Sequence, residues 1–227
     1  MTSNGPQTGI ITVAVFDVDG TLTCGESLFR FLRVYLGPGR LLLASATALG
    51  RVVRRPGQIS RDTGKAALLN QAMQGRDAQK ANAAGVRFAS WLVANRLQTD
   101  ASIALRAHQH AGHRTVLISA SPSIYIEPLG ELLGVDAAFG TELAVDDLGR
   151  YTGQLLGSNL RGRQKVAVLE RWLSQQQLDQ RSLTLFAYGD SAGDDELLRA
   201  AGINAHDRRV CRNFPIPIAD AGMDAHE

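Results

Sequence analysis

The sequence predicts an α/β fold with a doubly wound parallel sheet and a small helical cap inserted after the first strand. Three continuously apolar, β-branched segments are separated by helical segments, at residues 10–18, 114–121 and 182–191. Such runs are typical of strands buried on both faces, and strands that alternate with helices form a parallel sheet with helices on both sides. The four helices predicted between the first two strands are too many for one crossover, so we expect them to form the cap. The predicted core is therefore Rossmann-like.

The predicted elements follow a regular order along the chain. Helices are expected at 26–36, 40–55, 59–75, 77–97, 162–177 and 194–202. Gly37-Pro38-Gly39 ends the first of these and Pro56-Gly57 ends the second. Another helix follows the strand at 114–121, with Ser121 and Pro122 expected as its N-cap and first-turn residues. Residues 135–155 predict a strand and a hairpin that turns at 147–149.

These elements define a domain organisation. The core is expected to span residues 10–24 and 96–210, and the cap residues 25–95. The ends, 1–9 and 211–227, are expected to be flexible because they are polar or interrupted by proline.

The composition excludes several functional classes. A net charge of +2 is too small to indicate nucleic-acid binding, so we expect none. The start of the chain, "MTSNGPQTG", is polar and rich in turn residues, which predicts neither a signal peptide nor a membrane span. No apolar run in the sequence reaches the roughly 18 residues that a membrane span needs. Cys24 and Cys211 lie far apart without metal-ligand spacing, which indicates a reduced, cytoplasmic protein.

Polar side chains follow the predicted strands where each one ends. Asp17, Ser119 and Asp190 occupy these positions, and Asp19 comes two residues after Asp17. Ligands of open α/β sheets bind beyond the carboxyl ends of the strands. Two aspartates this close repel each other unless a cation or a shared proton lies between them. The sequence therefore predicts the active site at this edge of the sheet.

The residue types at this edge suit phosphoryl chemistry. Carboxylates of Asp17, Asp19 and Asp190 are ligands that Mg²⁺ prefers, so Mg²⁺ is the expected cofactor. Thr21 and Ser119 add hydroxyl donors, and Lys165 adds a positive charge, although Arg161 and Arg163 lie close by in sequence. A pocket with a hard cation, hydroxyls and a lysine can hold a phosphoryl group, and a carboxylate there can act as a nucleophile.

These residues occur as four motifs in a recognisable order. They are "DVDGT" at 17–21, Ser119 at the end of "TVLIS", Lys165 in "GRQKV", and "GDSAGD" at 189–194. With them the chain resembles the haloacid dehalogenase-like (HAD) hydrolase superfamily, in particular its phosphoserine phosphatase-like branch, subfamily IB. The resemblance extends from about residue 11 to about residue 210. It implies a HAD-like core and a Mg²⁺-dependent phosphatase that acts on a small phosphate ester.

The resemblance also implies a role for each site residue. Asp17 is the expected nucleophile, and Asp19 the expected acid and base. Ser119 and Lys165 are expected to hold the phosphoryl oxygens. Mg²⁺ is expected on a side-chain oxygen of Asp17, the backbone carbonyl of Asp19, and Asp190. Asp194 is expected to orient these ligands from behind.

The substrate is less sharply indicated. Thr21, Glu26 and Ala120 are expected near the substrate, with Glu26 at the place where phosphoserine phosphatases hold the substrate amine. The chain departs from those enzymes at Gly20 and at Ala120-Ser121-Pro122, and Arg61 and Lys65 are only possible partners for a substrate carboxylate. A phosphatidylglycerophosphate phosphatase is an alternative.

Arginines flank the apolar segment "LLLASATALG" of the predicted cap, at positions 33, 40, 51, 54 and 55. Peripheral membrane contact through the cap is possible, but arginines over an ordinary helical cap explain the pattern equally well. A phosphotransferase or mutase with the same aspartyl-phosphate chemistry is also open. Three histidines, His108, His110 and His113, suggest a metal site, but the spacing of the first two favours a structural role.

Overall fold

The computed structural model of the chain describes residues 11–53, 61–177 and 183–202. Its strands are β1 (Ile11–Phe16), β2 (Arg114–Pro122), β3 (Ala137–Thr141), β4 (Leu143–Val145), β5 (Tyr151–Leu155) and β6 (Leu183–Tyr188). Its helices are α1 (Leu28–Leu36), α2 (Pro38–Val53), α3 (Arg61–Met73), α4 (Ala78–Asn95), α5 (Thr99–His110), α6 (Ser123–Leu133), α7 (Arg163–Gln175) and α8 (Asp195–Ala200). The predicted flexible ends, the stop at Pro56-Gly57, Arg54, Arg55 and Cys211 lie outside the described residues.

The central sheet has four parallel strands in the order β3-β2-β1-β6. Val15 of β1 lies opposite Val116 of β2 on one side and Ala187 of β6 on the other. Alternate residues of β1 face opposite layers: Ala14 and Phe16 pack in the cluster with α5 and α6, whereas Val13 and Val15 pack in the cluster with α7 and α8. Both faces of β1 are covered, so neither face carries the polar residues that a solvent-exposed face would have. The strand is therefore continuously apolar. The predicted doubly wound α/β fold is confirmed.

Four helices, α1 to α4, separate β1 from the rest of the core. An aromatic cluster joins them to α6: the rings of Phe31 and Phe88 lie 5.0 Å and 5.1 Å from the ring of Tyr125. Gly85 lets α4 approach α6, because a Cβ at this position would lie 2.0 Å from the carbonyl oxygen of Ile124. The helices are thereby held beside the carboxyl end of the sheet. The limits of core and cap, 24/25 and 95/96, stay a prediction.

The predicted hairpin is the antiparallel pair β4–β5. It packs against the chain between α3 and α4, where the backbone amide of Gly75 donates to the carbonyl of Tyr151 and the amide of Tyr151 donates to the carbonyl of Arg76. These bonds tie the hairpin to the helices that follow β1. None of the helices in the described part of the chain is both long enough and apolar enough to cross a membrane.

Two local predictions differ from the structure. No helix was predicted over α5, whose four buried residues include two alanines and a histidine: Ala101, Ala104, Leu105 and His108. The interpretation of Ser121-Pro122 as N-cap and first turn was wrong. β2 continues through Pro122, α6 begins at Ser123, and no side chain caps its first turn. The hydroxyl of Ser121 instead makes a long-range hydrogen bond described below.

Candidate active site

A cavity of about 480 Å³ opens at the carboxyl ends of the parallel strands. Asp17 and Asp19 directly follow β1, Ser119 lies near the end of β2, and Asp190 lies in the loop after β6. The opposite wall comes from the helices after β1 and includes Glu26, Leu28, Lys65, Ala66 and Leu69. The structure therefore places these strand ends around one cavity.

Lys165 forms the charged centre of the site. Its side chain is 2% exposed, and Nζ lies 2.6 Å from Oδ1 of Asp17 and 2.6 Å from Oδ1 of Asp194. Burial opposes the charge on this lysine, but the two carboxylates outweigh burial and raise its pKa. Lys165 therefore stays protonated. The 2.6 Å ion pair of Asp17 is with Lys165, and not with Arg161 or Arg163.

The two carboxylates that share Lys165 differ in pKa. Burial raises the pKa of Asp17 to about 7, because the repulsion from Asp194 adds to desolvation and Lys165 only partly offsets them. The pKa of Asp194 is held below its usual value. Burial would raise it, but the charge and hydrogen bond of Lys165 and the donors of Ser191 prevail. The amide and hydroxyl of Ser191 lie 3.0 Å and 2.7 Å from Oδ2 of Asp194.

Asp19 is held by donors from two distant parts of the chain. The hydroxyl of Ser121 donates to its Oδ2 at 2.6 Å, and the amide of Ser27 donates to its Oδ1 at 3.0 Å. The hydroxyl of Ser27 in turn lies 2.8 Å from the hydroxyl of Tyr125. Burial raises the pKa of Asp19 despite these hydrogen bonds. A carboxyl group with a raised pKa and a fixed orientation is suited to proton transfer.

Three carboxylates can hold a cation. One oxygen each from Asp17, Asp190 and Asp194 lie within 4.8 Å of one another. Gly20 lets Asp190 approach this group: its φ is +86°, and a Cβ there would lie 2.4 Å from Oδ2 of Asp190. An all-oxygen donor set of three carboxylates fits a hard divalent cation.

The other predicted site residues take different positions. Ser119 and Ala120 line the cavity, and the hydroxyl of Ser119 accepts from the amide of Ser121 at 3.1 Å. Glu26 also lines it and forms an ion pair with Lys65. Thr21 is buried behind the cavity wall, where its hydroxyl donates to Oδ1 of Asp190 at 3.5 Å. The side chain of Arg61 lies outside the described residues.

Two of the three histidines, the buried His108 and the partly buried His113, form a structural group, whereas His110 is exposed. Nδ1 of His108 lies 2.8 Å from Nδ1 of His113, and Nε2 of His108 lies 2.8 Å from the hydroxyl of Tyr188. Burial, with a smaller contribution from His113, lowers the pKa of His108 to about 4. Within the described ranges, the residues that could hold a metal ion are the three aspartates and include no histidine.

Several residues of the site were not predicted from the sequence. Ser27 and Tyr125 support Asp19, and Thr141 supports the wall at Ala120, whose carbonyl accepts from its hydroxyl at 3.0 Å. The partner of Ser121 lies 102 positions away in sequence. No local pattern reveals such contacts. For Ser121 the available signal was its position two residues after the motif residue Ser119.

Comparison with family models gives a match to haloacid dehalogenase-like hydrolase over residues 14–199. Two relatives of known sequence are protein CicA from Caulobacter vibrioides and a histidinol-phosphatase from Neisseria meningitidis. CicA is 32% identical over 223 residues, which is 95% of each chain. The histidinol-phosphatase is 35% identical over 97 residues, 42% of this chain and 43% of its own. These matches confirm the family resemblance that the four motifs predict.

Solved structures share the fold. A protein of unknown function from Bordetella pertussis superposes with a TM-score of 0.69 at 22% identity, over 89% of this chain and 95% of its own. A substrate-bound phosphoserine phosphatase superposes with a TM-score of 0.56 at 19% identity, over 86% and 84%. The predicted likeness of this fold to phosphoserine phosphatases is confirmed.

Proposed function

We propose, since this chain belongs to the haloacid dehalogenase-like hydrolase family, that it is a Mg²⁺-dependent phosphatase that hydrolyses a small phosphate monoester through a phosphoryl group on Asp17. One observation carries the proposal. The buried carboxylate of Asp17 is held 2.6 Å from Nζ of Lys165, beside the half-buried Asp19 and at the floor of a cavity closed by the helices after β1. A fixed nucleophile, a separate proton donor and a cation for phosphoryl oxygens are the groups that this reaction needs.

The first step transfers the phosphoryl group to the enzyme. An oxygen of Asp17 attacks phosphorus, and the bond between phosphorus and the ester oxygen breaks. Asp19 gives its proton to the leaving alkoxide, and the raised pKa of Asp19 favours the protonated form that this requires. Lys165 and Ser119 bind the phosphoryl oxygens, whose charge must be stabilised in the transition state.

The second step returns the enzyme to its starting state. Asp19, now ionised, takes a proton from a water molecule, whose oxygen attacks phosphorus. The bond between phosphorus and Asp17 breaks and inorganic phosphate leaves. The hydrogen bonds from Ser121 and Ser27 keep Asp19 in one orientation for both proton transfers.

Mg²⁺ fits the acidic end of the cavity. We propose that Asp17, Asp190 and the backbone carbonyl of Asp19 hold it, with Asp194 behind them, bound to Lys165 and Ser191. A divalent cation there would stabilise negative charge on the phosphoryl oxygens. The pKa of Asp17 is about 7 in the protein without a metal ion. This value supports the proposed cation, because an adjacent cation favours the ionised form of the nucleophile.

The ion pair of Glu26 and Lys65 indicates what the rest of the substrate carries. Both side chains line the cavity, and they are 44% and 38% exposed. They are therefore accessible to a ligand, and a substrate with an ammonium and a carboxylate group can replace each partner. Phosphoserine has both groups, and histidinol phosphate has the ammonium group. These are the two substrate candidates that we favour over a lipid phosphate, and hydrolysis over transfer to a second substrate. A cytoplasmic location stays a prediction from cysteine usage.

The proposal is tested by phosphate release in the presence of Mg²⁺. The panel contains phosphoserine, histidinol phosphate, several sugar phosphates, and phosphatidylglycerophosphate in liposomes. Asp17→Asn is the blank, and Asp147→Asn is its matched control, since Asp147 is an exposed carboxylate in the hairpin turn.

We expect the wild type and Asp147→Asn to release phosphate from at least one ester and Asp17→Asn to release none. Phosphate release by Asp17→Asn at a rate close to that of the wild type would contradict the mechanism. Product formed by transfer to an added alcohol, without net phosphate, would favour the phosphotransferase.

A further inference from the structure

Three helices after β1 carry an unusual charge pattern. α1, α2 and α4 contain 9, 16 and 18 residues and include no Asp or Glu. They carry six basic residues: Arg30, Arg33, Arg40, Arg51, Lys80 and Arg87. Solvent-exposed helices are normally covered by charges of both signs, so a set with basic residues alone forms a surface suited to an anionic partner.

The same helices expose large apolar side chains. Seven of the twelve most exposed large apolar residues in the described part of the chain lie on α1, α2 and α4: Phe29, Val34, Leu42, Leu43, Leu49, Val86 and Trp91. Val34 is 77% exposed and Leu42 is 73% exposed. All seven are accessible although each helix also buries an apolar face in the core, so packing against the rest of the described residues does not account for them.

Between α1 and α4 these two features meet in a second cavity, of about 410 Å³. Arg30, Arg33 and Arg87 surround it, and Phe88 and Trp91 form part of its wall. The guanidinium of Arg30 lies over the ring of Trp91, 6.0 Å from its centre. Among the described residues, no carboxylate lies within 4.0 Å of the three guanidinium groups. Their positive charge is therefore available to a ligand.

We propose that this face docks on the surface of an anionic phospholipid bilayer, with a lipid phosphate in the cavity between α1 and α4. The α1–α4 patch consists of Phe29, Arg30, Arg33, Val34, Arg87 and Trp91. Its arginines meet the phosphates, and its exposed phenylalanine, valine and tryptophan enter the boundary of the acyl chains.

The mixture of residues distinguishes a bilayer from an acidic protein. A protein partner favours a dry apolar centre with charges at the rim. Here two arginines and two apolar side chains share the exposed face of α1, with Arg30 and Arg33 between Phe29 and Val34 in sequence. Tryptophan and arginine side chains each have an apolar part and a polar part. A tryptophan beside an arginine therefore suits the headgroup region of a bilayer, which lies between water and the acyl chains.

The test measures binding of the full chain to vesicles, without turnover, so its outcome is independent of the phosphatase proposal. Sedimentation compares vesicles of phosphatidylglycerol mixed with phosphatidylcholine against phosphatidylcholine alone. The variant Arg30→Gln/Arg33→Gln/Arg87→Gln removes the charge of the patch. The matched control Arg106→Gln/Arg150→Gln/Arg171→Gln removes the same charge from exposed arginines on other elements.

We expect salt-sensitive binding that requires phosphatidylglycerol. Loss of each patch arginine should weaken it about five-fold, and loss of all three roughly 100-fold. The control variant should stay within a few-fold of the wild type. Equal loss in both variants would show a diffuse charge effect and overturn the proposal, as would a wild type that ignores phosphatidylglycerol.

Fluorescence locates the contact. The chain has two tryptophans, so Trp172→Phe leaves Trp91 as the sole reporter. On addition of the anionic vesicles we expect a blue shift of Trp91 emission, because its ring leaves water. Vesicle binding without a change in Trp91 emission would place the contact elsewhere and contradict the proposed face.

Discussion

Replacement of Lys165 by methionine tests the electrostatics of the site most sharply. The change keeps an unbranched side chain that is one heavy atom shorter and removes its charge. Nζ of Lys165 lies 2.6 Å from both Asp17 and Asp194, and its side chain is 2% exposed. The variant would therefore leave two carboxylates buried beside each other without their shared cation.

The expected loss of stability is large and depends on pH. Removal of one partner from a buried ion pair costs about 3–5 kcal/mol. Without the lysine, both carboxyl groups have a higher pKa in the folded state than in the unfolded state. The folded variant then binds more protons than the unfolded chain, so its stability falls as pH rises. The deficit relative to wild type should be larger at about pH 8 than at about pH 5, because more of the carboxyl charge beside the missing lysine is present at the higher pH.

The measurement is the free energy of unfolding in urea at these two pH values, with a chelator present. Lys80→Met is the matched control, because Lys80 is exposed on α4. The control should change stability by less than about 0.5 kcal/mol. A Lys165→Met deficit that equals the control, or that is the same at both pH values, would refute the reasoning.

Three further predictions concern Asp19, Asp190 and His108. Ser121→Ala removes the 2.6 Å hydrogen bond to Asp19 and should lower kcat roughly 10–100-fold with little change in KM, whereas Ser90→Ala on exposed α4 should leave both unchanged in steady-state kinetics. Gly20→Ala places a Cβ 2.4 Å from Asp190. It should increase roughly 10-fold the Mg²⁺ concentration needed for half of the Mg²⁺-dependent rise in melting temperature. Gly149→Ala, at a φ of +72° with open space, should keep the full response, and equal effects of the two changes would exclude displacement of Asp190. The pKa of His108 is lowered from 6.5 to about 4, so its contribution to stability is full above 6.5 and is lost as pH falls towards 4. The wild type should lose about 3 kcal/mol more than His108→Gln over this range in urea unfolding, and parallel pH curves would contradict the shift.

The sequence predicted those parts of the fold whose signal is local. β1, β2 and β6 were found because strands buried on both faces are continuously apolar. The positions of Asp17, Ser119 and Asp190 followed, since parallel strands end at one edge of the sheet. The helix α5 was not predicted because two alanines and a histidine supply three of its four buried positions and give little periodic apolar contrast.

The contacts that position Asp19 could not be predicted in the same way. Ser27 and Ser121 reach it from the start of α1 and from the end of β2. Serine is a common N-cap residue of helices, so the residue type favoured a local role for Ser121. Only the packing of α6 against the helices after β1 brings Ser121, Ser27 and Tyr125 together.

A phosphoryl group on Asp17 is the central claim, and its direct detection is the decisive measurement. The wild type is mixed with a substrate from the panel and Mg²⁺, quenched in acid within the first turnover, and its peptides are examined by mass spectrometry. We expect a phosphoryl group on the peptide that contains Asp17, and none on that peptide of Asp17→Asn. Turnover without a phosphorylated peptide, or with the group on another residue, would contradict the account.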